Sequence, residues 1–259
     1  VLAVGADVTE FAPGDIIATA AAEGTHATIA LVDAERAVPV PPDVSAELAA
    51  AAMLQGMTAH YLVNSTYKVA AGVEVLVHAA AGGVGRLLVQ LAKAKGAHVI
   101  GTVGSADKEH VASTAGADVV IRYDQIAEPA ELADAVRAAS DGGVNVVYDG
   151  VGKSTFDASL GSLRPRGLLA LFGGASGQVP PFDVQRLNSG GSLFLTRPTL
   201  VHYVATREEL LWRSGEVLGA IAENTLRIAI GGSYRLEQAG EAYRDLEGRR
   251  TTGKLLIVP

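Results

Sequence analysis

Between Ala79 and Ile100 the chain reads AAAGGVGRLLVQLAKAKGAHVI, and its residue types suit one kind of chemistry, the holding of a phosphate. Gly82, Gly83 and Gly85 stand between an apolar run and a window where Val84, Leu87, Leu88 and Leu91 fall on one helical face. A turn without side chains at Gly82 and Gly83 lets the backbone approach a pyrophosphate, and Gly85 lets the helix sit close on the strand. The helix start then offers free N–H groups and the positive end of its dipole. Against the G-x-G-x-x-G spacing, the first glycine is Ala80. Glycine turns also serve packing alone, but a strand before this one and an amphipathic helix after it favour dinucleotide binding.

The end of the second strand selects the dinucleotide. NAD sites place Asp or Glu there to hold the ribose 2′-hydroxyl. Here the residues are Gly101-Thr102-Val103-Gly104-Ser105, with no acid. Lys108 follows one helical turn later, and Arg122-Tyr123 closes the third strand. An uncharged turn with hydroxyls and a nearby cation suits a 2′-phosphate, so NADPH is expected over NADH. The competing reading makes Lys108 a solvated helix residue.

Composition removes other chemistries. The 259 residues include no cysteine, which excludes disulfides, thiolate zinc sites and cysteine nucleophiles and is compatible with a reducing cytoplasm. His26, His60, His78, His98, His110 and His202 show no metal-ligand spacing and are expected at the surface or satisfied in the core. A net charge of −7 without a basic run disfavours nucleic acid. The most apolar window, SAELAAAAMLQGMTAHYLV, is broken by Glu47, Gln55 and His60 and reads as a buried helix, so no membrane span or signal peptide is expected.

The elements that must position the turn alternate. Strand candidates are VEVLVHA (73–79), HVIGTV (98–103), DVVIRY (118–123), VNVVYD (144–149), LLALFG (168–173) and SLFLT (192–196), with amphipathic windows between them. Near-continuous apolar runs suit strands covered on both faces, so the expected fold is α/β, a doubly wound six-stranded parallel sheet of Rossmann type. Residues 1–44 are proline-rich and irregular, suiting short strands and turns. After Thr206 and Glu209, a capping-box pair, come a helix, RIAI (227–230), the helix-like LEQAGEAYRDLEGR and a final strand LLIV (255–258). The two flanks are expected to form one second domain into which the nucleotide fold is inserted.

AAAGGVGRLLVQLAKAKGA, GTVGSADKEHVASTAGAD, VVYDGVG, SLFLTRPTL and the closing RRTTGKLL together resemble the zinc-independent, zeta-crystallin-like quinone oxidoreductases of the medium-chain dehydrogenase/reductase superfamily. The resemblance covers essentially the whole chain. It implies an NADPH-binding Rossmann domain over 55–197 within a GroES-like, β-rich catalytic domain over 1–54 and 198–259, NADPH-dependent quinone reduction, and a homodimer. It puts Tyr61 at the nicotinamide end, and Gly83 and Val84 with Gly82 on the pyrophosphate turn. Gly104, Ser105, Lys108 and Tyr123 fall on the 2′-phosphate. Val151 and Phe172-Gly173-Gly174-Ala175 line the nicotinamide ribose and ring, Pro198, Thr199 and Leu200 lie along the same cleft, and Arg249 reaches the cofactor from the C-terminal domain. Two departures stand out. Gly150 replaces a serine common in relatives, and the family's opening strands are absent before Val1, leaving the catalytic domain N-terminally incomplete.

Hydride transfer to a quinone, whose carbonyls are already electron-poor, needs no metal. Tyr61 could bond the carboxamide or supply a proton, and a packed tyrosine fits equally well. An enoyl or enone reductase would use the same cofactor but need a proton donor near the alkene carbon. A non-catalytic NADPH-binding protein is the reading from another class, and the short N-terminus and Gly150 favour it.

Overall fold

The computed structural model describes residues 1–248 and 252–259. They form two compact units, Val1–Thr58 with Leu200–Pro259, and Ala59–Thr199. The first unit opens with β1 (Ile17–Ala18), antiparallel to β2 (Val38–Pro39), and continues into α1 (Ala46–Tyr61). Alanine, leucine and methionine give α1 high helix propensity, and the unit boundary falls inside it.

The second unit then alternates. Its elements are β3 (Glu74–Val77), α2 (Gly83–Ala94), β4 (His98–Val103), α3 (Ala106–Thr114), β5 (Val119–Arg122), α4 (Pro129–Ala138) and β6 (Val144–Asp149). α5 (Phe156–Ser162), β7 (Leu163–Leu171), α6 (Gln185–Ser189) and β8 (Phe194–Thr196) complete it. All neighbouring strands are parallel, in the spatial order β5-β4-β3-β6-β7-β8. That is the doubly wound order, so the expected six-stranded sheet is present. The first unit resumes with α7 (Arg207–Ala222), β9 (Ile230–Arg235), α8 (Ala239–Glu247) and β10 (Lys254–Val258), which runs parallel to β9.

Local chemistry sets where the elements stop. Gly96 and Gly116 follow the ends of α2 and α3 at φ +80° and +108°, a left-handed step that glycine takes without a Cβ penalty. Pro129 opens α4 at the position where a missing N–H costs nothing. At the start of α7, the Glu209 amide donates to Thr206 Oγ1 at 3.2 Å and the Thr206 amide to Glu209 Oε2 at 3.5 Å, the reciprocal cap read from the sequence. Within the first unit, Gly56 lets α1 approach α7, since a Cβ there would stand 2.6 Å from Val217 Cγ1.

Three expectations shift in detail. β3 ends at Val77, because Ala79 turns into the left-handed region at φ +51°. β7 starts at Leu163, well before the apolar run LLALFG, and its ladder with β6 slips between Val144 and Val146, next to Arg166 at φ +64°. The run RIAI contributes only Ile230 to a strand; β9 instead extends over Gly231 and Gly232 to Arg235.

Beneath one face of the sheet Leu76, Ile100, Val147 and Leu169 pack with Leu132, Val136, Phe156 and Leu163 in one buried cluster. Leu76 lies on β3, between two other strands, and is fully buried. Leu76→Ala is expected to lower the unfolding free energy by about 3 kcal/mol, from lost transfer energy plus the cavity left behind. Urea denaturation reads this directly, and a loss below about 1 kcal/mol would mean that the strand repacks around the gap.

Candidate functional site

The chain leaves β3 toward one side of the sheet and β6 toward the other, so their C-terminal ends flank the crevice where doubly wound folds bind ligands. At the end of β3 the turn is built by crowding. The Ala79 carbonyl accepts the Gly82 amide at 2.8 Å. A Cβ on Gly85 would stand 2.2 Å from that carbonyl oxygen, and one on Gly82 would stand 3.1 Å from it. Gly82 caps α2 without any side-chain bond, which leaves the N–H groups of the first turn, Gly83 and Val84 among them, facing no capping oxygen. Ala80, in place of the first fingerprint glycine, fits because the neighbouring strand carries Gly101, where a Cβ would come within 2.8 Å of the Ala80 methyl.

On the β4 side, Ser105 caps α3, its Oγ accepting the Lys108 amide at 3.4 Å. Gly104 is required by Tyr123, since a Cβ there would lie 2.6 Å from the phenol oxygen. Gly104, Ser105, Lys108 and Tyr123 are thus drawn to one end of β4 and β5. Arg122 is bound by Asp124 at 2.7 Å, and Glu109 adds to the negative charge around it. Among the described residues Lys108 has no ion-pair partner. No carboxylate stands at the end of β4 itself, where Val103 is followed by Gly104 and Ser105.

On the β6 side two loops are laced together. The Asp149 carbonyl accepts the amides of Phe172 at 2.9 Å and Gly173 at 3.2 Å. The Ala175 amide donates to the Gly150 carbonyl at 3.2 Å, and the Ser176 amide to that of Val151 at 2.8 Å. Gly150 has a steric role that the sequence does not reveal: a Cβ there would lie 2.9 Å from the Phe172 ring. Gly173 needs the same closeness, with its Cβ position only 2.3 Å from the Gly150 carbonyl oxygen. Val151, Phe172, Gly173, Gly174 and Ala175 therefore form one compact rim. Tyr61 ends α1 at 1% exposure, fully packed. Pro198 and Thr199 follow β8, with Pro198 buried; Leu200 opens a short 3-10 turn, and Arg249 lies outside the described residues.

Sequence reading missed the polar core under this rim. His78, Thr102, Asp149 and Ser159 are all buried to 1% exposure or less, and Thr155 to 6%. His78 Nδ1 lies 2.8 Å from Thr102 Oγ1, and Nε2 lies 3.0 Å from Ser159 Oγ. The Ser159 hydroxyl donates to Asp149 Oδ2 at 2.7 Å. Asp149 Oδ1 accepts the amides of Val151 at 2.8 Å and Gly152 at 2.9 Å, and the Thr155 hydroxyl reaches both carboxyl oxygens. Ser, His and Asp are the residue types of a hydrolytic triad, but here serine sits between the other two, gives its proton to the carboxylate, and is sealed from solvent. Among the described residues no cluster of three or more His, Asp or Glu could hold a metal, and no helix is long and apolar enough to cross a membrane.

Two expectations follow. Gly85→Ala should push the Ala79 carbonyl away and weaken dinucleotide binding by about tenfold or more in a fluorescence titration; unchanged affinity would show the turn to be a packing device only. Burial holds the His78 imidazole below its ordinary value of 6.5, with Asp149 pulling the other way. The unfolded chain then takes up a proton that the folded one refuses, so this contribution is complete above the ordinary imidazole range and shrinks as pH falls below it. Urea midpoints should drop between about pH 7.5 and about pH 5.5, and drop less in His78→Gln; equal drops would remove His78 as a cause.

The profile of the family described as zinc-binding dehydrogenase matches residues 83–210. The quinone oxidoreductase of Pseudomonas aeruginosa is 41% identical over 259 residues, a match that covers 99% of this chain and 78% of that protein. A mycobacterial protein solved in complex with NADPH is 48% identical with a TM-score of 0.95, over 100% of this chain and 80% of that one. The Escherichia coli quinone oxidoreductase, also solved with NADPH, is 39% identical with a TM-score of 0.94, over 100% of this chain and 79% of that one. With such identity along almost its whole length, the chain belongs to the quinone oxidoreductase family of the medium-chain dehydrogenase/reductase superfamily.

Proposed function

We propose that this chain is an NADPH:quinone oxidoreductase that passes a hydride to a quinone without a metal. The observation that carries the reading is the pair of tightly packed glycine turns at the C-terminal ends of β3 and β6, in a family with members solved in complex with NADPH. When bound, the nicotinamide supplies the hydride. The residues fit such a cofactor: Gly85 has no room for a Cβ and Gly82 little, so the helix start rests on the strand backbone with its amides free for the pyrophosphate.

In this reading Gly82, Gly83 and Val84 hold the pyrophosphate by the uncapped first turn of α2. Gly104, Ser105 and Lys108 take the 2′-phosphate, with the Tyr123 ring closing that end. Val151 and Phe172 to Ala175 bear on the nicotinamide ribose and ring, and fix it because both loops hang from Asp149. Pro198 and Thr199 belong to the same contact set. Tyr61 serves as packed wall: at 1% exposure it opens onto neither solvent nor a cleft, and we assign it no carboxamide contact and no general-acid step. Electron-poor quinone carbonyls need little protonation before hydride arrives. Family membership favours turnover over a merely nucleotide-binding protein, and quinones over enones as acceptors.

The same reading includes a homodimer in a cytoplasmic setting, built around a GroES-like catalytic domain on 1–54 and 198–259 and the nucleotide domain on 55–197. β8 is an edge strand of the sheet and carries Phe194 at 59% exposure, an open apolar edge that a second copy can cover.

Quinone-dependent loss of NADPH absorbance is the direct test. Tight NADPH binding with no consumption by any quinone or enone would overturn the enzymatic reading, and faster turnover of enones would replace the acceptor. Lys108→Ala should weaken NADPH by about tenfold while altering NADH far less, because only the former offers a 2′-phosphate to the ammonium. Equal losses would remove Lys108 from the 2′-phosphate site.

A further inference from the structure

In the parallel ladder Val77 faces Gly101 on one side and Tyr148 on the other. The next row is therefore Thr102, His78 and Asp149, one polar residue from each of three adjacent strands, all directed to one face. Each stands shortly before a different turn: Thr102 before Gly104-Ser105, His78 before the glycine turn, and Asp149 directly before Gly150-Val151. Ser159 of α5 closes the gap between His78 and Asp149.

Hydrogen-bond chemistry gives this row a direction. Four donors converge on Asp149, the two amides of Val151 and Gly152 and the hydroxyls of Thr155 and Ser159, and a carboxylate has four acceptor sites to meet them. The Ser159 proton is therefore committed to Asp149, and Ser159 Oγ must accept from His78 Nε2–H. A neutral imidazole has one donor and one acceptor, so Nδ1 accepts from the Thr102 hydroxyl. Every donor along the row points toward Asp149.

We propose that Thr102, His78, Ser159 and Asp149 form a one-directional positioning relay that locks the three cofactor turns into one register, so that a change at the β6 end is felt at the β4 end. None of the four touches the reacting atoms; they act through the turns. The proposal rests on the NADPH-binding reading above. A merely structural polar core with the same bonds would fix the same tautomer and stabilise the fold, but it would not make NADPH affinity depend jointly on Thr102 and Asp149.

Asp149→Asn tests this. The amide keeps one oxygen for the Val151 and Gly152 amides, leaves the Thr155 hydroxyl to the Gly152 carbonyl at 3.2 Å, and turns a donor toward Ser159. Ser159 must then donate to His78 Nε2, and His78 must carry its proton on Nδ1 and give it to Thr102. Nitrogen-15 NMR of the ligand-free protein is expected to find His78 as the Nε2–H tautomer in the wild type and as Nδ1–H in Asp149→Asn. The NADPH dissociation constant should rise about tenfold in that variant, and KM for NADPH should rise by a larger factor than kcat falls.

Thr102→Val covers the case in which Asp149→Asn does not fold, because it keeps the shape and removes only the first donor. It should weaken NADPH several-fold, Thr102→Ser should restore binding, and the effects of Thr102→Val and Asp149→Asn should be non-additive. An Nδ1–H tautomer in the wild type, an unswapped tautomer in Asp149→Asn, or additive effects in the cycle would overturn the relay. With Thr102→Val alone, NADPH affinity equal to wild type would do the same. Failure of the wild type itself to bind NADPH would instead overturn the cofactor reading, and the ligand-free tautomers would still report on the wiring.

Discussion

A carboxylate sealed at the C-terminal end of an interior strand is the interaction on which the site depends. Taking Asp149 out of water costs several kcal/mol unless donors replace its hydration. Two of the four donors that do so are the amides of Val151 and Gly152, so the solvation of the charge and the shape of the turn are one interaction. The same residue's carbonyl gathers the amides of Phe172 and Gly173 from the next loop. One buried residue thus fixes two loops that arise from different strands, and either could drift only by leaving a charge or an amide unsatisfied. Loops elsewhere on a surface have no such penalty and are correspondingly freer.

Steric exclusion completes what that charge begins. Gly85 against the Ala79 carbonyl and Gly173 against Gly150 are contacts closer than any Cβ tolerates, so in each case one backbone segment rests directly on another. Ala79 takes up a left-handed conformation without being glycine, which costs on the order of 1 kcal/mol. The surrounding turn holds it there: its carbonyl accepts the Gly82 amide, and the adjoining Ala80 amide donates to Thr102. Strain of this size persists only where neighbours over-determine the conformation, as they do at this turn.

Most of this fold was legible because its strands are buried on both faces. HVIGTV and VNVVYD match β4 and β6 residue for residue, since a run of apolar residues between a polar flank and a glycine leaves few alternatives. β7 was less legible: its first half, Leu163 to Gly167, carries Arg164, Pro165 and Arg166 and breaks the apolar pattern, yet pairs through a ladder irregularity. The glycine turn was visible from spacing, but the reason Ala80 can stand in it was not. That reason lies on the next strand, at Gly101, and one-dimensional patterns do not couple such distant positions. The polar row was also hidden. In the sequence His78 is one of six histidines without ligand spacing, expected at the surface or satisfied in the core, and only the sheet register brings it level with Thr102 and Asp149. A signal did exist, namely one polar residue at the C-terminal end of each of three strands whose middles are apolar.

The two ends of the proposed cofactor site are built to different tolerances, and the difference follows from what each must do. At the β4 end the recognition is of charge: Lys108 is partly exposed and Tyr123 is 41% exposed, so the field is screened and a displacement of an ångström changes the energy little. At the β6 end the task is to hold one ring atom at transfer distance, where a similar displacement costs orders of magnitude in rate. Close backbone contact is found there, Gly150 against Gly173, over the fully buried Asp149. A chain that only sequestered a dinucleotide would gain from charge at the first end and would have no use for a rigid rim at the second. The asymmetry therefore argues for chemistry at the β6 end, beyond binding.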